Sequence, residues 1–124
     1  MAMKPANAKQ KQWMSDVTEW ASNHIQNVYG IRYFYADIQR HHVLGRSAKH
    51  NKIAIGHWFI LPIPFELHDV SSNHPESVTH NKKAFVKRFG NQRDLFLQMV
   101  EGMCADGYEV PPYDVCEAIR GTSA

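Results

Sequence analysis

Apolar side chains in the first quarter of the chain recur with helical spacing. Trp13, Val17, Trp20, Ala21, His24 and Val28 follow one another at steps of 4, 3, 1, 3 and 4 residues, which stacks them on one helical face. The spacing predicts a helix over residues 6–29, stopped by Gly30. The pattern then changes. Residues 31–35 (IRYFY) are aromatic and β-prone and predict a strand, and 37–44 predict a second extended piece. Residues 45–51 (GRSAKHN) read as a polar, basic loop. Residues 53–63 are the best strand candidate, closing at Pro62 and Pro64. A short helical turn at 65–68 and a loop over 70–79 follow. Helical spacing returns at 81–89, with Ala84, Phe85 and Phe89 inward and Lys82, Lys83 and Lys87 outward. Beyond Gly90, Asn91 and Asp94 resemble a capping pair, and Leu95, Phe96, Met99, Val100 and Met103 form a core stripe. Pro111 and Pro112 open a last short helix carrying Val115, Cys116 and Ile119. The expected fold is α+β: a small two-stranded β-hairpin plus helix, flanked by N- and C-terminal helices, all in one domain.

Composition narrows the class. The chain has 124 residues, 44% of them hydrophobic and three of them Trp. A chain of this size buries about two-thirds of its unfolded surface, enough for one core and too little for a two-domain enzyme. The longest apolar run, Trp58 to Phe65, is eight residues and holds two prolines, far below the roughly 18 that span a bilayer. The opening MAMKPANAKQKQ has no apolar core of a secretory signal, so a cytoplasmic protein without a membrane partner is expected. Two cysteines, Cys104 and Cys116, allow one disulfide and no cysteine-rich metal knuckle; packing thiols are the simpler reading.

The net charge of +2 hides a strong segregation. Residues 39–93 carry nine basic side chains (Arg40, Arg46, Lys49, Lys52, Lys82, Lys83, Lys87, Arg88 and Arg93) against Glu66, Asp69 and Glu76. Residues 94–124 carry Arg120 against six acids. Seven of the eight histidines, His41, His42, His50, His57, His68, His74 and His80, fall inside the basic block, and His24 lies outside it. A basic, histidine-rich segment suits a polyanionic partner, and it suits equally a solvated face.

The histidines are the candidates for chemistry. His41 and His42 end an extended segment, where adjacent side chains point to opposite faces. They can share a site only if the strand ends or twists there, as Gly45-Arg46 just beyond allows. His68 follows a proline-rich corner and His80 precedes the basic helix, so His41, His68 and His80 can meet from a strand end, a turn and a helix start. Imidazole nitrogens suit transition metals. His24 reads as a core or rim residue, His50 and His74 as solvent-exposed, and Tyr33, Phe34, Tyr35, Trp58 and Phe59 as core.

The ordered series HHVLGR, HWFILPIP, ELH and VTHNKKAFVKRFGNQRDLF resembles the HNH, or ββα-metal, nucleases. It is most similar to the phage and prophage recombination-enhancement nucleases, the Ref-like family that acts with RecA filaments. There an HH-plus-Gly-Arg element precedes an apolar strand ending in Pro-Leu-Cys, further histidines, and a basic helix written F-x-x-x-[YF]-G, which is FVKRFG here. The resemblance covers residues 37–96. Residues 1–30 would then be an N-terminal helix and 97–124 a helical extension.

The resemblance implies a metal-dependent DNA endonuclease, phage- or prophage-derived and linked to recombination. His42 would be the general base and His57 a positioning residue in the catalytic set. His41, His68 and His80 would hold a divalent ion, Mg, Mn or Zn. Arg46, Lys49, Lys82, Lys83, Lys87 and Arg88 would bind nucleic acid. The implied partners are DNA and a RecA filament. The chain departs from the family in having Pro64 for its cysteine, no upstream cysteine pair, and Leu67 for the first histidine of the downstream pair, so no structural zinc is expected. The alternative is a nucleic-acid-binding or recombination-accessory protein of the same fold without hydrolysis.

Overall fold

A computed structural model describes residues 5–124. Its first helix, α1 (Ala8–Tyr29), starts on a reciprocal cap: the Asn7 side chain accepts from the Gln10 amide while the Gln10 side chain accepts from the Asn7 amide, which satisfies two otherwise orphaned donors. α1 buries Trp13, Met14, Val17, Ala21, Ile25 and Tyr29. The buried stripe is rotated from the expected one, so Val28 stays exposed and Trp20 and His24 stack on each other at the rim.

The strand expected at 31–35 is instead a 3-10 turn, Ile31–Tyr33. Gly30 sits at φ 108°, a backbone region open mainly to glycine, and turns the chain before a strand can form. Only Tyr33 of this segment is buried; Phe34 and Tyr35 are exposed, so the expectation that both lie in the core fails. The chain then enters β1 (Ile38–His42).

The expected strand over 53–63 is broken into two. Its start, β3 (Ile53–Ala54), forms a short hairpin with β2 (Lys49–His50), which lies in the predicted loop. A turn follows, and β4 (Ile60–Pro64) pairs antiparallel with β1, setting His41 opposite Leu61 and His42 opposite Ile60. All five β4 residues are buried, as expected of a strand covered on both faces. The one-turn helix α2 (Phe65–His68), α3 (Lys82–Phe89), α4 (Gln92–Ala105) and α5 (Tyr113–Arg120) complete an α+β fold with two small antiparallel sheets. The boundary expected at 96/97 falls inside α4.

The core lies between α1, β4 and α4. Trp13 and Phe59 both meet the ring of Phe96 edge-on, at centroid separations of 6.2 and 5.2 Å. The Trp13 indole N–H donates to the Trp58 carbonyl at 2.9 Å, so the apolar core also pins the backbone next to His57. On α4, Phe96, Met99 and Met103 are buried while Leu95 and Val100 are partly covered; on α5, Val115, Ala118 and Ile119 are buried. Both cysteines are free thiols.

Candidate metal and catalytic site at the end of strand β1

Alternation along β1 separates the two adjacent histidines. Gln39, His41 and Val43 line one cleft, about 450 Å³ in volume, together with His68, Asp69, Thr79, Lys82 and Gln92. His42 lies outside that lining and pairs with His57. The local twist that would converge His41 and His42 on one cleft is therefore not what this strand does; the pleat prevails.

In the cleft, the rings of His41 and His68 stand edge-to-face with centroids 4.9 Å apart. Each is held by a glutamine. His41 Nε2–H donates to Gln92 Oε1 at 2.9 Å, and Gln92 is itself almost fully buried at 1% exposure. His68 Nδ1–H donates to Gln39 Oε1, and Gln39 Nε2 donates to Asp69 Oδ2 at 3.0 Å. These bonds assign the tautomers: the lone pairs remain on His41 Nδ1 and His68 Nε2. The His68 backbone is fixed as well, its carbonyl accepting from the Thr79 hydroxyl and the Leu67 carbonyl from the Val78 amide.

Burial, then the neighbouring His68, pushes His41 down to about 4, against the opposing effect of the Gln92 hydrogen bond. Burial also lowers His68, with Asp69 acting the other way. Asp69 is held near 2, first by the Ser71 hydroxyl and then by Gln39. At neutral pH both imidazoles are uncharged, the state a metal requires of them.

His80 does not join this pair. It is exposed, and its Nε2–H donates to the Val70 carbonyl at 2.7 Å. Among the described residues no group of three or more His, Cys, Asp or Glu is arranged to hold a metal ion. His41 and His68, neutral and each oriented by a glutamine beside an open cleft, are the two side chains here whose chemistry suits a divalent transition metal. Sequence reasoning missed both glutamines. Gln39 lies two residues before His41, on the same strand face, and could have been found by that period; Gln92 comes from α4 and left no local signal.

On the other side of β1, His42 Nε2 and His57 Nδ1 are 3.4 Å apart, with ring centroids at 5.4 Å and planes nearly perpendicular. One of the two nitrogens donates to the other. His42 is pushed down to about 4 by burial, then by His57, Arg46, Arg40 and His68. His68 thus lies within electrostatic reach of His42 although the two face different sides.

The expected nucleic-acid contacts divide the same way. Arg46 and Lys49 are exposed on the His42 side loop, and Lys82, Lys83, Lys87 and Arg88 are exposed on α3, where Lys82 borders the cleft. Arg88 pairs with Glu76 at 3.7 Å. His50 is half-buried, its ring tip close to Gly121, and His74 is half-buried too, accepting from the Glu76 amide; neither is the fully exposed residue expected. An apolar cavity of about 150 Å³ lined by Trp20, Ile25, Tyr29, Leu61 and Met99 shares no residue with the histidine cleft. No helix among the described residues is long and apolar enough to cross a membrane. Comparison of the chain with protein-family models, curated proteins and solved structures gives no match.

Proposed function

We propose that the chain is a divalent-metal-dependent DNA endonuclease of the HNH type. The observation that carries this reading is the pair of uncharged imidazoles, His41 and His68, each oriented by a glutamine, with a second imidazole pair at the same strand end. His41 and His68 would hold the ion, Mg, Mn or Zn, which when bound would neutralise charge on the phosphate and the leaving oxygen. His42 takes the proton of the attacking water, and His57 holds the His42 ring and shares its proton. A phosphate beside Arg40 and Arg46 offsets two of the charges that depress His42 and moves it toward the neutral range, where proton abstraction is efficient. The exposed cations of α3 bind backbone phosphates without reading bases. The resemblance of residues 37–96 to the recombination-enhancement nucleases supports a RecA filament as partner and recombination in a phage or prophage setting.

A second reading is favoured by one observation: His80 is tied to Val70 and no third ligand completes the His41–His68 pair among the described residues. On that reading the chain binds nucleic acid as an accessory protein and does not hydrolyse it. Plasmid nicking with and without divalent metal separates the two. Metal-dependent nicking by the wild type, lost in His42→Ala with DNA binding retained, supports the enzyme; DNA binding without nicking under any divalent metal supports the accessory protein.

A further inference from the structure

Residues 45–51 are read from their composition as a loop, yet the whole segment between His42 and Phe59 is tightly built. Gly45 N–H donates to the His42 carbonyl, Ala48 N–H to Gly45, and both Ile55 and Gly56 N–H to Ala48, at 2.9–3.3 Å. Ile55 is fully buried. Gly56 packs so closely that a Cβ placed on it would lie 2.0 Å from the Arg46 carbonyl oxygen, which locks the Arg46 backbone against the residue preceding His57. At the far end, Asn51 and Lys52 form the two-residue turn of the β2–β3 hairpin with φ of 51° and 68°. That is the left-handed pair of a type I′ turn, where glycine is the usual second residue. A lysine there is conformationally unfavourable, and such an outlier points to a function for its side chain.

The hairpin is anchored from below. Ile53 packs on the core and His50 against Gly121, while Lys49, Asn51 and Lys52 face solvent. Arg46, Lys49 and Lys52 form no ion pair with any carboxylate among the described residues. Leu44, at 45% exposure, is the one large hydrophobic side chain exposed between residues 43 and 59, so the segment lacks the cluster of apolar anchors that protein interfaces depend on. Unpaired cations on a rigid frame with a single exposed apolar side chain match a polyanion instead.

We propose that residues 43–59 are a preformed phosphate-binding arm, in which Arg46, Lys49 and Lys52 bind the sugar-phosphate backbone of duplex DNA on the His42–His57 side of β1. This rests on the nucleic-acid reading above and deepens it: the substrate is gripped on two sides of the strand end, by α3 beside one histidine pair and by the arm beside the other.

The test is fluorescence anisotropy with a 20-base-pair DNA duplex in EDTA, so that no cleavage occurs, across a series of salt concentrations. The proteins compared are the wild type, Lys49→Gln with Lys52→Gln, and Lys83→Gln with Lys87→Gln. All four substitutions are at exposed positions, and circular dichroism checks folding. Each lost phosphate contact lowers the salt slope of the affinity by about 0.9, so the arm variant is expected to lose about 2 from the slope of the wild type. An unchanged slope in the arm variant, with the α3 variant weakened, overturns the arm and leaves the nucleic-acid reading standing. A wild type that does not bind the duplex overturns both, and an arm variant that loses affinity with no change in slope overturns the phosphate contact.

Discussion

The two sides of strand β1 carry histidine pairs of different construction. On one side, His41 and His68 are oriented by separate amide partners, Gln92 and Gln39, so each ring has a fixed proton and a free lone pair. On the other, His42 and His57 bond to each other, and two arginines act on His42 from nearby. A ring with its proton fixed by a neutral acceptor is suited to hold a cation; a ring that shares a proton with a second imidazole is suited to move one. The difference comes from the two-residue period of the strand, which gives adjacent histidines different neighbours and hence different chemistry.

The sharpest way to break the comparison is to remove one ring from each side. His68→Ala should lower Mn²⁺ or Zn²⁺ affinity, measured by titration calorimetry, by more than about 100-fold, beyond the range seen for outer-shell residues. His57→Ala should leave it within about twofold. Equal losses in the two variants would mean that the pairs are not functionally distinct. The orienting amide comes next. Gln39→Leu removes the acceptor for His68 Nδ1–H and should cost about 10–100-fold in metal affinity, with the fold intact by circular dichroism.

Gly56→Ala disturbs only the arginine-flanked side. Its Cβ would collide with the Arg46 carbonyl, and forced overpacking of this kind costs about 1–3 kcal/mol, read as a lower urea midpoint. A further effect is in the acid stability of the metal-free protein. The folded values of His41 and His42 lie near 4, below the roughly 6.5 of an unfolded histidine. Between pH 6.5 and 4 the unfolded chain takes up protons that the folded rings refuse. Stability should therefore fall as pH drops through that window and level off below it, as far as these groups contribute. His41→Gln should flatten the slope of melting temperature against pH over that range.

Strong periodic signals in the sequence correspond to real elements. The apolar spacing of α1, the Phe85-centred face of α3, the Phe96–Met99–Met103 stripe and the proline-led α5 all form where composition predicts them. What failed was local. IRYFY has strand propensity, but Gly30 at positive φ and the lack of a strand partner turn it into a 3-10 turn. The hairpin in GRSAKHNKIA was invisible because its turn uses Asn51-Lys52 in place of a glycine. The rings of the candidate site were all legible as histidines. Their partition was not, because it depends on Gln92 arriving from α4 and on Trp13 pinning the Trp58 carbonyl beside His57, contacts that span 51 and 45 residues and have no local trace.

Both sides of β1 are joined in one reaction by the proposal, and that reaction can be assayed directly. Supercoiled plasmid is incubated with wild type and His42→Ala, each with Mg²⁺, Mn²⁺ or Zn²⁺ and each with EDTA, and conversion to nicked circles is followed with time. The account predicts nicking by the wild type with at least one of these metals and none in EDTA, and a rate in His42→Ala lower by about 10²–10⁴ at unchanged DNA affinity. No nicking by the wild type with any of the three metals, or nicking that is indifferent to the loss of His42, would contradict it.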